Sequence, residues 1–295
     1  MKLHLLLKTL LILNVTLLLP HFLLKRVEIE VTFGIEADFD FENAFNIKNY
    51  IRKSEKMITN PYKLCFIGDS ITEGVGTNKR YFDYIAEETD ASVRGFGVNG
   101  AQSIELFSQI DRLSKETGGD FDILFILIGT NDYNAGVPLG EFFTEHTENV
   151  VTEYDENDKP IHYALRKKRE FSFDERTFKG RLNKVLSFLK NEFCEKRIVL
   201  LTPLHRAYAY FGGANVQPNE LYANSIGEYF EAYVEAVRRA ADIWAVELID
   251  LYRESGLFPL DEKHAEKYFN PSANDNLHPN AAGHKRIAQT ILRNL

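Results

Sequence analysis

A serine at position 70 follows the apolar run Leu64-Cys65-Phe66-Ile67 and the pair Gly68-Asp69, where a buried strand would meet solvent. A hydroxyl placed there is a candidate nucleophile. At neutral pH it needs a base within hydrogen-bond reach, a carboxylate to orient that base, and donors aimed at the developing oxyanion. His278 is the candidate base, because Pro279 follows it and biases its backbone away from helical geometry, holding it on the approach to a last helix. Asp275, three residues earlier, is close enough to accept from the imidazole and fix its tautomer. Gly68 permits a tight backbone before Ser70, and Gly74 and Gly76 keep the next loop slim. A phosphate-binding loop would need lysine after its last glycine, and Val75 and Thr77 stand in those places.

A Gly-Asp-Ser triplet alone says little, since average residue usage produces one by chance in about one chain in ten of this length. Four blocks in order say more: Gly68-Asp69-Ser70-Ile71, Gly97-Val98-Asn99-Gly100, Gly129-Thr130-Asn131-Asp132 and Asp275-Asn276-Leu277-His278-Pro279. Together they closely resemble the GDSL or SGNH hydrolase superfamily, with Ile71 in place of the leucine of that name. The resemblance runs from about Lys63 to Leu295 and implies ester hydrolysis through an acyl-serine, without metal or organic cofactor. It implies that Ser70, Asp275 and His278 are catalytic. It also implies an oxyanion hole made by the backbone N–H groups of Ser70 and Gly100 and the side-chain amide of Asn131. Asp69 and Asp132 are expected to be structural.

The superfamily covers acetylesterases on carbohydrates, lipases, lysophospholipases and thioesterases. The aromatic run Tyr208-Ala209-Tyr210-Phe211-Gly212-Gly213 favours a short-acyl ester on a carbohydrate, since aromatic rings offer flat apolar faces to sugars. Three alternatives stand beside this reading: a lysophospholipase- or thioesterase-type acylhydrolase, O-acyl transfer to a cell-envelope polymer, and a non-catalytic binding module. A small-molecule or glycan ester is therefore the expected partner. Tyr133, His205 and Arg206 are candidates for contacting it, the last two following a strand on the same sheet edge as Ser70.

Such a constellation needs a scaffold that delivers distant residues to one place. Apolar runs at about Leu64–Ile67, Ser92–Val98, Ile123–Ile128, Ile198–Leu201 and Val246–Ile249 predict five strands separated by loops and helical stretches. One-face stripes at Leu182, Val185, Leu186, Leu189 and Phe193, and at Tyr222, Ile226, Tyr229, Phe230, Tyr233 and Val237, predict amphipathic helices. Continuous apolar strands alternating with such helices predict an α/β fold, a flavodoxin-like three-layer α/β/α sandwich around a five-stranded parallel sheet. Its site should lie beyond the carboxyl ends of the strands. An insertion at about 133–174 reads as a β-hairpin with strands at 150–154 and 161–165, either a flap over the cleft or a surface decoration. The basic run Arg166-Lys167-Lys168-Arg169 reads as a solvated face.

The chain of 295 residues is 44% apolar, with 22 Phe and 14 Tyr, ample for a sizeable core. Its net charge of −8 offers no basic footprint for nucleic acid. Cys65 and Cys194 read as core thiols, and no Cys/His spacing suits a metal. Residues 1–33 read as a signal peptide or membrane anchor: Lys2 and Lys8 precede an apolar stretch from Thr9 to Leu24, closed by Lys25-Arg26. No small-residue cleavage site follows, which favours an anchor, although Asn14, Thr16, Pro20 and His21 leave it short of the ~20 apolar residues of a comfortable span. Either form puts the catalytic part outside the cytoplasm, secreted or anchored. Residues 34–60 read as a stalk or packing arm, and 61–295 as the hydrolase domain.

Overall fold

The computed structural model describes residues 62–295. The segments read as anchor and stalk lie outside the described residues, within which no helix is long and apolar enough to cross a membrane.

Strands β1 (Lys63–Gly68), β2 (Ser92–Gly95), β3 (Ile123–Leu127), β6 (Arg197–Leu201) and β9 (Glu247–Ile249) form one sheet in the order β2-β1-β3-β6-β9. Every neighbouring pair is parallel. Because β2 lies on one side of β1 and β3 on the other, the chain switches direction at the β1/β3 boundary and opens a crevice there. Alternate strand residues serve opposite faces. Cys65, Ile67, Leu124, Ile126, Ile198 and Leu200 pack into one core with α3 (Leu106–Thr117), α5 (Phe178–Glu192) and α6 (Phe230–Trp244). Leu64, Phe66, Ile123, Phe125, Val199 and Leu201 pack into the other with α2 (Tyr81–Glu88) and α9 (Ala281–Arg293). The expected three-layer architecture is therefore present, and Phe66 lies stacked between Phe82 and Phe125 at 5.0 and 4.8 Å between ring centres.

Several boundaries differ from the sequence reading. The regular second strand ends at Gly95, although the chain stays beside β1 as far as Val98, whose N–H donates to Gly68 O at 3.1 Å, before it turns at Asn99 and Gly100. Helix α6 begins at Phe230, so Tyr222, Ile226 and Tyr229 are not part of its stripe and stand 63%, 47% and 57% exposed in the preceding loop. Burial pushes the Cys65 thiol up to about 12, against the pull of Arg94, which keeps it an inert core group. Cys194 is exposed, at the frayed end of α5 rather than in the core.

The insertion folds as a long antiparallel arm, β4 (Phe143–Tyr154) and β5 (Pro160–Phe171), each strand 12 residues long. Aromatic contacts fasten its base, where Phe171 stacks on Trp244 of α6 at 4.6 Å. No arm residue lines the cleft at Ser70, so the flap reading does not hold.

His284 of α9 is buried against α2, its Nδ1 accepting from the Tyr81 N–H at 3.1 Å. Burial, reinforced by His278, pulls its imidazole from 6.5 down to about 3. Between those values the unfolded chain takes up a proton that the folded chain refuses, so acid weakens the fold from pH 6.5 downward. At pH 5 the expected cost is about 2 kcal/mol. The buried Asp69 carboxyl, raised to about 7, acts in the opposite sense over the same range, so the reading is a difference between proteins. Between pH 7.5 and pH 5 the change in urea stability should be about 2 kcal/mol less favourable in the wild type than in His284→Gln, and equal changes would show that His284 is not the acid-sensitive group.

Candidate active site

Gly68 ends β1 where the chain must pass close to β3. A Cβ there would sit 2.2 Å from the Leu127 carbonyl oxygen and 2.7 Å from Thr72 Oγ1. Gln109 of α3 clamps the same residue, accepting from the Gly68 N–H and donating to its carbonyl, both at 2.8 Å. Asp69 then caps α1 (Ser70–Glu73), its carboxylate accepting from the Ile71 N–H at 3.1 Å. Complete burial drives this carboxyl up to about 7 despite that bond. Ser70 is the first residue of α1, so its own N–H has no helical acceptor.

Asp275 and His278 sit in the segment before α9, stitched to the chain after β6 as a strand would be. Asn276 N–H donates to Tyr208 O at 3.1 Å, Tyr210 N–H to Asn274 O at 2.8 Å and Ala207 N–H to Asn276 O at 3.0 Å. The Asp275 carboxylate accepts from the N–H groups of Leu277 and His278 at 3.1 and 2.9 Å, and its Oδ2 lies 2.8 Å from His278 Nδ1. His278 Nε2 lies 2.8 Å from Ser70 Oγ. All three side chains are buried, with 4 to 6% of each residue exposed. Asn270 Nδ2 donates to the carbonyls of His278 and Gly76, both at 3.1 Å, tying the histidine to the loop after α1.

The loop after β2 and the helix after β3 complete the crevice. Gly100 has φ +79° and a Cβ there would meet nothing within 4 Å, so the left-handed backbone rather than crowding calls for glycine. Glu73 at the end of α1 accepts from the Asn99 N–H and holds this loop against the nucleophile turn. Asn131 is the second residue of α4 (Thr130–Asn134), and its Nδ2 donates to Ala101 O at 3.0 Å, leaving the second amide hydrogen for the cleft. Among the described residues neither the Ser70 N–H nor the Gly100 N–H has a protein acceptor. Asp132 binds the two elements together. It accepts from Ser103 N and Oγ at 2.9 and 2.7 Å and from Arg181 Nη1 at 2.9 Å. Burial raises its carboxyl, opposed by these bonds.

Ser70, Gly100, Asn131 and His278 thus line one cleft of about 340 Å³. Its walls add Asn99, Phe211, Asn215 and Gln217, the last three from the hairpin formed by β7 (Ala209–Tyr210) and β8 (Val216–Gln217). The Phe211 ring stands 5.3 Å from that of His278. A hydroxyl bonded to an imidazole that is itself held by a carboxylate can lose its proton as it attacks a carbonyl. Three donors around the same space can hold the resulting oxyanion.

The three residues read as substrate contacts do not reach this space. Tyr133 is buried between Phe230 and Tyr233, and its hydroxyl donates to Tyr222 O at 2.7 Å. His205 turns to Glu220, with Nδ1 2.6 Å from Oε1, and stacks on Tyr252. That carboxylate is 15 residues away in sequence, too far for local reading to find. Arg206 is only 1% exposed, and burial draws its guanidinium down to about 10. It donates to Asn134 Oδ1, and at 3.2 Å to both Gln217 Oε1 and Pro218 O, so it braces the wall from behind. Gln109, Glu73 and Asn270, which hold the site, carry no signal in the sequence because each looks like an ordinary surface polar residue.

A hydroxyl, an imidazole and a carboxylate in hydrogen-bonded series at the switch point of a parallel sheet form the arrangement that serine acyl transfer requires. The family model for GDSL-like lipases and acylhydrolases matches residues 66–286, and the chain belongs to that family. Among solved structures, a protein from Lactobacillus plantarum is 23% identical with a TM-score of 0.60, covering 80% of this chain and 97% of its own. A possible lipase from Chitinophaga pinensis is 21% identical with a TM-score of 0.55, covering 79% and 96%. At these identities the likeness shows the shared fold. No curated protein matches the chain.

Proposed function

We propose that this esterase removes short acyl groups, acetyl above all, from a carbohydrate, with Ser70 as nucleophile, His278 as base and Asp275 as its orienting acid. The observation that carries the catalytic assignment is the unbroken chain of two 2.8 Å hydrogen bonds from Asp275 through His278 to Ser70. Ser70 Oγ attacks the ester carbonyl while its proton passes to His278 Nε2. The carbonyl oxygen gathers negative charge among the Ser70 N–H, the Gly100 N–H and Asn131 Nδ2. Collapse breaks the bond to the alcohol, which leaves with the proton from His278. Water then repeats the sequence on the acyl-serine, giving up its proton to His278, and releases the acid.

The cleft supports the substrate class. The amides of Asn99 and Asn215 offer donors and acceptors suited to hydroxyls, and Phe211 presents a 39% exposed ring beside His278. A long acyl chain calls for a long apolar channel, whereas this cleft is only about 340 Å³, with Val75, Phe211 and Leu277 as its apolar side chains. The expected result is turnover of p-nitrophenyl acetate at least tenfold faster in kcat/KM than of the octanoate, with acetate released from an acetylated xylan. A preference for octanoate would overturn the short-acyl reading. An export or anchoring role for residues 1–33 is part of the same proposal, supported by their basic start and apolar run.

A further inference from the structure

The two faces of the β4–β5 arm differ. On one, Thr144, His146 and Glu148 stand opposite Glu170, Lys168 and Arg166. Lys168 Nζ lies 3.2 Å from Glu148 and 3.6 Å from Glu170, with His146 between the same two acids. Water completes such a face. On the other, alternate β5 residues run Ile161, Tyr163, Leu165, Lys167 and Arg169, with Val151 paired to Tyr163 and Glu145 to Arg169. Tyr163 and Leu165 are 61% and 66% exposed. This face changes character along its length. Its turn is acidic, with Asp155, Glu156 and Asp158 against Lys159. Its middle is apolar, and on its inner stretch Lys167 and Arg169 face the single acid Glu145.

A two-stranded ribbon of this length, about 40 Å, is marginally stable alone. We infer that the apolar face of the arm is a dimer contact with a second copy of this chain, the two arms stacked antiparallel across a twofold axis near Tyr163. From Tyr163 the acidic turn and the basic stretch each lie about five residues away, roughly 17 Å in opposite directions. A twofold therefore sets apolar on apolar and each acidic turn over the other copy's basic stretch, a self-complementary arrangement. The partner's turn also has somewhere to go. Between the arm base and α6 lies a groove of about 630 Å³, with Phe142, Phe143, Ala236 and Ile243 on its floor and a rim of mixed charge. One arm face, about 40 by 10 Å, supplies roughly 400 Å². With the groove wall beneath the partner's turn, each copy approaches the ~800 Å² per partner of a standard interface.

Sedimentation velocity of the full chain in mild detergent, from low to high micromolar concentration, tests this. Wild type should sediment as a dimer and Leu165→Glu as a monomer that still hydrolyses p-nitrophenyl acetate at the wild-type rate. Glu156→Lys and Lys167→Glu should each weaken the dimer several-fold, and the double variant should recover most of that loss. A wild type that stays monomeric overturns the proposal. So does a Leu165→Glu protein that dimerises like wild type, since the contact then lies elsewhere, the N-terminal segment included. If the double charge reversal restores nothing, the antiparallel stacking is wrong. Circular dichroism of each variant separates loss of association from loss of fold.

Discussion

Ser70→Ala is expected to lower kcat/KM on p-nitrophenyl acetate by at least about a thousandfold, and His278→Ala by a similar factor. The double variant should be no worse than the more damaged single. The reason is in the geometry: among the described residues Ser70 Oγ has one side-chain partner, His278 Nε2 at 2.8 Å, and His278 in turn is held by Asp275. Removing either end disables the same proton transfer, so the second removal has nothing left to cost. A thousandfold corresponds to about 4 kcal/mol of transition-state stabilisation. Substitution of Ser70 should leave the fold in place, because alanine suits the first turn of α1 and Gly68 still makes the close passage to β3. Additive losses in the double variant would mean that the two side chains act independently, and a Ser70→Ala protein with near-normal turnover would remove Ser70 as nucleophile. Residual activity of the variants, if above the uncatalysed rate, reports what the oxyanion donors and binding supply alone.

Much of this site was legible before any coordinates because its parts sit in short local blocks. Each strand that ends at the crevice is followed at once by its functional residues. Ser70 follows β1, Gly100 follows β2, and Asn131 follows β3, while the spacing of Asp275 and His278 is fixed within one turn of chain. Continuous apolar strands likewise announce a sheet buried on both faces. What local reading missed depends on residues far apart in sequence. His205 looked free because its partner Glu220 arrives from the far side of the β7–β8 turn. Arg206, read as a substrate contact, is instead buried beneath the rings of Tyr133 and Phe230, spending its donors on Asn134 and Gln217. The stripe through Tyr222, Ile226 and Tyr229 had helical spacing without forming helix, since Asn224 and Gly227 form a turn there and Asn224 bonds to the Tyr133 carbonyl instead. The arm was placed correctly but drawn short, because its inner strands are charged and show no apolar alternation.

Asn131→Ala should fold and bind substrate yet lose about 10² to 10³ in kcat. Its Nδ2 spends one hydrogen on Ala101 O at 3.0 Å, which orients the amide, and directs the other toward the space shared by Ser70 and Gly100. An ester carbonyl carries little charge in the ground state and nearly a full charge in the tetrahedral state, so this donor matters mainly after attack begins. The loss should therefore appear in kcat with KM little changed. The bond to Ala101 is also removed, at a cost of about 1 kcal/mol in stability, which a small shift of the urea midpoint would register. Asn131→Asp sharpens the catalytic reading. It keeps the size of the side chain, gives up both donated bonds and sets a carboxylate where negative charge develops, so its kcat should fall further than that of the alanine variant. If Asn131→Asp matched wild type, the oxyanion would be held by the Ser70 and Gly100 N–H groups alone. If KM rather than kcat absorbed the loss in both variants, the amide would be gripping the substrate before reaction instead of the charge that reaction creates.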